Sequence, residues 1–102
     1  MTRGEVWTLV RGSRQYRVLI VSNDEYNVLE DVTPWGLIID RIVADSDLLV
    51  PLVAYDPLPG ATVDASAVVR VDRSALRDNH GFVGNDTMNR VEYALRDLLN
   101  LP

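Results

Sequence analysis

Apolar residues are concentrated in five short stretches of the chain, and polar turn residues separate one stretch from the next. The stretches are rich in β-branched side chains, which is typical of the strands of a β-rich domain. The second stretch is apolar over the four consecutive positions 18–21, which indicates a central strand buried on both faces. The predicted strands are residues 5–10, 16–22, 37–43, 48–54 and 63–71.

Glycine and proline indicate where the predicted strands turn or lie at an edge. Residues 12–13 (Gly-Ser) predict the turn after the first strand, and Pro and Gly on either side of Trp35 predict a second turn. Pro51 lies within the fourth stretch, and proline has no backbone N–H to donate. We therefore expect an edge strand or a bulge there. Residues 72–76 predict one short helical turn.

The last part of the chain has a helical period. Met88, Val91, Leu95 and Leu98 recur at spacings of three, four and three, so they lie on one face of a predicted α-helix. Asp86 lies where this helix begins, and its negative charge is favourable at the positive end of the helix dipole. Strands followed by one terminal helix predict a mainly β fold, a small and strongly bent sheet or barrel.

Composition is that of a single globular domain, residues 1–102, with 47% hydrophobic residues and a net charge of −5. Cysteine is absent, which excludes disulfides, thiolate nucleophiles and cysteine metal sites. No signal-peptide or membrane-spanning pattern is found, so we expect a cytoplasmic protein with no membrane contact. The acidic balance does not favour nucleic-acid binding in general, because phosphate attraction needs positive charge.

The positive charge is nevertheless concentrated near the start of the chain. Four arginines stand against Glu5 alone in the first 17 residues, and all ten basic residues are arginine. Arginine has a planar fork that can contact a phosphate through two N–H groups. The four residues are Arg3, Arg11, Arg14 and Arg17.

Residue patterns alone give no complete catalytic motif. The single histidine, His80, has no thiol or serine motif around it, and the carboxylates lack the spacing of a metal site. Asp45 and Asp47 are more typical of a solvated turn than of a catalytic pair. Asp64 and Ser66 are two apart on a predicted strand and therefore share a face.

Three segments together carry a resemblance to a known family. Residues 3–7 (RGEVW), 18–27 (VLIVSNDEYN) and 71–102 resemble, in order, the opening and closing motifs of the MazF/PemK/Kid toxins of bacterial type II toxin–antitoxin modules. The closing segment matches the family pattern at five positions, Gly81, Met88, Val91, Ala94 and Leu95.

The resemblance implies an SH3-like barrel of about five to seven strands with a C-terminal helix, shared with CcdB. It implies a homodimer and a cognate antitoxin whose disordered acidic tail blocks the toxin. The implied activity is that of an mRNA interferase, an endoribonuclease that cleaves single-stranded RNA at short sequences without a metal or other cofactor.

The chain departs from the family at the catalytic positions. The family's arginine lies six residues before the residue that ends the strand, here Ser22, and that position holds Tyr16. Arg17 occupies the next position and so projects to the opposite face unless a bulge shifts the register. The family's threonine position holds Val43 or Val53, neither of which can exchange a proton.

The resemblance and the residues together give these expectations. Arg17 or Arg14 supplies the cation, and Asp64 and Ser66 carry protons, with Asp45 or Ser46 as alternatives. Side chains expected to contact RNA are Arg3, Arg11, Tyr16, Ser22 and Trp35. Two other readings stay open: a non-enzymatic toxin that, like CcdB, inhibits DNA gyrase, and a catalytically decayed member that still binds an antitoxin.

Overall fold

The computed structural model describes residues 1–41 and 45–101, which form six β-strands, two α-helices and one 3-10 turn. The 3-10 turn, Arg73–Ala75, lies within the helical turn predicted at residues 72–76. All strand pairs are antiparallel, and the strand order in the sheet is β4-β5-β3-β2-β1-β6. The predicted mainly β class with a C-terminal helix is confirmed. The strands are β1 (Glu5–Arg11), β2 (Arg14–Ile20), β3 (Trp35–Asp40), β4 (Leu49–Pro51), β5 (Thr62–Arg70) and β6 (Leu76–Phe82), and the helices are α1 (Asp24–Asn27) and α2 (Asn85–Leu99).

A tight hairpin joins β1 to β2. Gly12 adopts φ 60°, which supplies the positive φ that a two-residue hairpin turn needs. From this turn the register runs without a bulge from the Arg11–Arg14 pair to the Val6–Leu19 pair. The alternation of β2 side chains between the two faces of the sheet is therefore strict.

Both faces of the sheet bury apolar side chains. Helix α2 covers one face, on which Leu19 of β2 packs. The chain that follows β5 covers the other face, on which Val18 and Ile20 of β2 pack. Strand β2 is therefore buried on both faces, as its continuous apolar run predicts. Central members of the first cluster are Leu19, Leu37, Ile39, Val63, Val91 and Ala94, and those of the second are Leu9, Val18, Ile20 and Val71.

Helix α2 confirms the helical spacing of apolar residues predicted for the end of the chain. Val91 is fully buried and Met88 and Leu95 pack at its margin, whereas Leu98 near the C-terminal end is 39% exposed. Asn100 ends the helix in the left-handed conformation. Neither helix of the described residues has the length and apolar character that crossing a membrane requires.

Three local predictions need correction or lie beyond what is described. Trp35 does not lie in a turn but begins β3, where it pairs with Arg70. Strand β6 was not predicted, because its sequence LRDNHGF lacks the apolar alternation of a half-buried strand. The end of the predicted third strand, with Val43, lies outside the described residues. Pro51 lies in edge strand β4, as expected.

A buried carboxylate connects the loop before β5 to the start of α2. Asp56, 5% exposed, accepts hydrogen bonds from the backbone N–H of Val53 (2.9 Å) and Gly84 (2.8 Å) and from the Thr87 hydroxyl (2.6 Å). Burial alone raises the pKa of Asp56, but these hydrogen bonds and the charge of Arg90 outweigh it and hold the pKa below its usual value. The ionised form is therefore the one that the fold stabilises.

We expect Asp56→Asn to lower the free energy of unfolding by about 2 kcal/mol and Asp56→Ala by about 3 kcal/mol, because buried donors lose a charged acceptor. Urea unfolding measures both values. Asp31→Asn, on an exposed carboxylate, is the control and should change the stability by less than about 0.5 kcal/mol. An equally small effect at Asp56 would contradict this account of the loop.

The Asp56 contribution should also depend on pH. Its folded-state pKa is lowered, so the stabilisation is present above the unfolded pKa of about 3.9 and is lost as pH falls towards the folded value. The stability difference between wild type and Asp56→Asn should therefore be largest near neutral pH and shrink below about pH 4. A difference that stays constant from pH 7 to pH 3 would show that the charge of Asp56 is not involved.

Candidate functional site

Arg17 lies at one end of the β2–β3 pairing. Its Cα partner on β3 is Ile39, whose partner on β5 is Val63. Residues paired in this way project to the same face of an antiparallel sheet. Arg17 therefore lies on the face that carries Leu19, whereas Tyr16 packs with the cluster on the opposite face. No bulge interrupts β2, so Arg17 and Tyr16 keep opposite orientations.

A cavity of about 430 Å³ opens where β2 begins and β3 ends. Strand β2 contributes Gln15, Tyr16 and Arg17 to its lining, β3 contributes Asp40, and Arg41 follows directly. The loop before β5 forms another wall through residues that include Leu58. The lining residues therefore include two arginines, Asp40, Tyr16 and Gln15, beside apolar surface.

The loop wall is held in an unusual backbone conformation. Leu58 has φ 56°, in the left-handed region that a side chain disfavours by about 1 kcal/mol. Hydrogen bonds on either side hold the loop closed, from the N–H of Leu52 to the carbonyl of Ala61 (2.9 Å) and from the N–H of Ala61 to the carbonyl of Leu58 (3.1 Å). Residues with such strain are concentrated at functional sites.

The two arginines of the cavity make no ion pair with any carboxylate in residues 1–41 and 45–101. The single ion pair of that part of the chain joins Arg3 to Glu92. Asp40 is the acidic residue of the lining, and its Oδ1 accepts a hydrogen bond from the backbone N–H of Arg41 at 2.7 Å. Positive charge therefore predominates in the cavity although the chain as a whole is acidic.

The structure separates Arg17 from the other predicted catalytic residues. Arg14, exposed at the start of β2, stands opposite Arg11 in the hairpin. Asp64 lies on β5 opposite Leu49, and its Oδ1 accepts hydrogen bonds from the hydroxyl (2.6 Å) and the N–H (3.0 Å) of Ser66. Among the described residues, those that line the cavity do not include Arg14, Asp64 or Ser66. Of the two alternative proton carriers, Asp45 and Ser46, both exposed, neither lines it.

Two residues expected to contact RNA have partners within the protein. The guanidinium of Arg3 is paired with Glu92 of α2, and the N–H of Arg3 donates to Asp24 at 2.7 Å. The Ser22 hydroxyl donates to the Asn27 side chain and accepts the N–H of Trp35 at 3.0 Å. These contacts hold the segment before β1 and the start of β3 against α1 and the residues next to it. The apolar pattern does not reveal this role.

The remaining arginine and aromatic candidates meet on another part of the surface. Arg70 lies over the Trp35 ring with its guanidinium carbon 5.6 Å from the ring centroid, a cation–π contact. Arg11 donates to the Arg70 carbonyl at 2.8 Å. The Trp35 side chain is 40% exposed, so an aromatic face and two guanidinium groups are available at this surface.

Asp40 and Arg41 are the charged residues of the cavity that the sequence analysis missed. They interrupt the apolar run LIIDRIV, and this break in a predicted strand was the available signal. His80, by contrast, lies on β6 with its Nε2 2.9 Å from the Thr8 hydroxyl. Within the described ranges no group of three or more His, Asp or Glu side chains is placed to hold a metal ion.

Comparison with solved structures shows what this arrangement resembles. An endoribonuclease from Mycobacterial species in complex with its cognate antitoxin superposes with a TM-score of 0.92 and 28% identity, over 100% of this chain and 97% of that chain. The chain is MazF-like in fold. A second endoribonuclease from Mycobacterial species gives a TM-score of 0.88 at 27% identity, over 100% and 93% of the two chains.

The MazF-like fold also extends to more distant structures. A MazE–MazF structure from Deinococcus radiodurans superposes with a TM-score of 0.84 over 100% of this chain and 97% of that chain. At 18% identity this likeness concerns the fold alone. No protein-family model matches the MazF-like chain, and no curated protein matches it.

Proposed function

We infer that this MazF-like chain is the toxin of a type II toxin–antitoxin module and acts as an endoribonuclease on single-stranded RNA. The observation that carries the proposal is the superposition, with a TM-score of 0.92 over the whole chain, on an endoribonuclease in complex with its cognate antitoxin. A cavity lined by two arginines without carboxylate partners among the described residues agrees with it. The neighbours named as endoribonucleases favour this function over inhibition of DNA gyrase.

The proposed reaction needs only groups that an unmodified protein chain can supply. The 2′-oxygen loses its proton to a base and attacks the adjacent phosphorus. The bond to the 5′-oxygen then breaks, and an acid protonates this leaving oxygen. The products are a 2′,3′-cyclic phosphate and a 5′-hydroxyl, so no metal or other cofactor is required.

Of the two arginines predicted to supply the cation, Arg17 lines the cavity. We propose that it stabilises the negative charge that develops on the phosphate oxygens. A donor fixed beside apolar side chains stabilises such charge more strongly than a donor in water does. Asp64 and Ser66 remain the proton carriers proposed from the sequence. Asp40 and Tyr16 also line the cavity, but from strand positions whose side chains project to the face opposite Arg17; of the two, Asp40 is kept as a second candidate base.

The proposed partners are a cognate antitoxin with an acidic disordered tail and a second copy of the chain. The guanidinium groups of Arg17 and Arg41, which have no carboxylate partner within residues 1–41 and 45–101, are suited to acidic side chains as well as to phosphate. Several large apolar residues are exposed on α2 and just before it, including Phe82 (57%), Tyr93 (73%) and Leu99 (62%). Exposed apolar surface of this kind is typical of an interface between proteins.

The purified protein should cut a mixed-sequence single-stranded RNA and leave 2′,3′-cyclic phosphate and 5′-hydroxyl ends, equally well with and without EDTA. Mass spectrometry of the products measures both ends. The same RNA with 2′-O-methyl groups should stay intact, because its attacking oxygen is blocked. Absence of cleavage, together with gyrase-dependent breaks in DNA, would reverse the choice between the two toxin mechanisms.

Arg17→Ala should lower kcat/KM for this cleavage by about a hundredfold or more, the loss expected when one donor to developing charge is removed. Arg14→Ala should lower it much less, because Arg14 lies outside the cavity lining. Asp40→Asn and Asp64→Asn, assayed beside them, compare the two candidate bases. If Arg14→Ala has the larger effect, the cation has been assigned to the wrong arginine.

A further inference from the structure

Arg41 is a second cation of the cavity, and the apolar pattern of the chain does not assign it a role. The β2–β3 register pairs Arg17 with Ile39. The observed pairing stops there and β3 ends at Asp40; continued by two residues, the same register would set Arg41 beside Gln15, and both of these residues line the cavity. Side chains two apart along a strand project to one face, so this continuation places Arg41 on the face of Arg17.

The surroundings of the two arginines leave them available for a ligand. Neither is within ion-pair distance of a carboxylate of residues 1–41 and 45–101. Asp40, next to Arg41, projects to the opposite face in a regular strand, and one of its oxygens already accepts the Arg41 N–H. Two like charges that share a small cavity repel each other, and a bound anion relieves this repulsion.

The cavity wall strengthens the attraction to an anion. Ile39, 5% exposed, and Leu58 place apolar atoms beside the guanidinium groups. Charges interact more strongly where low-dielectric groups exclude water. The Asp56 hydrogen bonds to Gly84 and Thr87 hold the loop that carries Leu58 in place.

We propose that Arg17 and Arg41 together bind one phosphodiester of single-stranded RNA, with Arg41 donating to a non-bridging oxygen of the phosphate at which the chain is cut. The assignment rests on the proposed function for the identity of the RNA. Arg41 is then a catalytic residue that supplies part of the charge stabilisation that Tyr16, at the family's arginine position, cannot supply. A phosphodiester presents two equivalent oxygens, which matches two separate guanidinium groups.

The binding test uses the full-length protein and a mixed-sequence RNA with 2′-O-methyl groups, which binds without being cut. Fluorescence anisotropy at several salt concentrations gives the slope of log Kd against log salt. Each lost phosphate contact on a single strand changes this slope by about 0.7. Arg41→Ala should therefore reduce the slope by about 0.7 relative to wild type.

Arg96→Ala is the charge-matched control, because Arg96 is exposed in the last turn of α2 and does not line the cavity. It should leave the slope unchanged. An equal slope for wild type and Arg41→Ala would overturn the phosphate assignment. If Arg41→Ala instead weakens only the binding of an Asp- and Glu-rich peptide, the cavity is a site for an acidic protein segment and the assignment to RNA is wrong.

The catalytic test uses unmodified RNA. Arg41→Ala should lower kcat/KM by about a hundredfold, added ethylguanidinium should restore part of it, and Arg41→Lys should retain more than Arg41→Ala. If the wild type cleaves the RNA and Arg41→Ala cleaves it at the same rate, the catalytic role of Arg41 is wrong. Its phosphate-binding role would not be affected by that result. A reduced slope without any wild-type cleavage would uphold the phosphate site and reject the endoribonuclease proposal.

Discussion

The pairing of β2 with β3 determines which side chains can act together in this protein. Val18 and Ile20 are buried on one face and Leu19 on the other, so a slip of one residue would exchange two well-packed clusters. This cost holds Arg17 on the face of Ile39 and Tyr16 on the opposite face. The position of the guanidinium group is therefore a consequence of core packing several residues away.

The same dependence on packing extends to the wall of the cavity. Asp56 is buried where the loop before β5 meets α2, and it accepts hydrogen bonds from both elements. The loop carries Leu58, whose left-handed backbone would be unfavourable in a free segment. Stability and site geometry are thus coupled, because the carboxylate that joins the loop to the helix also positions one side of the cavity.

The sequence predicted the parts of the fold whose residues have a clear period. The apolar run of β2 and the spacing of Val91 and Leu95 in α2 are examples, because burial imposes those patterns directly. Strand β6 was missed because an edge strand with polar side chains has no such pattern. In the same way, the short helix α1 was missed because its four residues span only about one turn of helix.

The site was only partly predictable for a related reason. Arg17 and Arg41 are far apart along the chain, and only the strand register brings them to one cavity. Arg3 and Ser22 were expected to contact RNA, but an ion pair with Glu92 and hydrogen bonds to Asn27 and Trp35 engage their polar groups. Sequence patterns identify residue types suited to a phosphate and do not reveal which of them the fold has already paired.

The central claim is that the phosphate to be cut lies in the cavity at the open end of β2 and β3. A crystal structure with a 2′-O-methyl RNA tests this most directly. We expect a phosphate within hydrogen-bond distance of the Arg17 guanidinium, beside Arg41 and the Leu58 loop. A bound RNA whose phosphates contact Arg14 or the Asp64–Ser66 pair, with the cavity unoccupied, would contradict it.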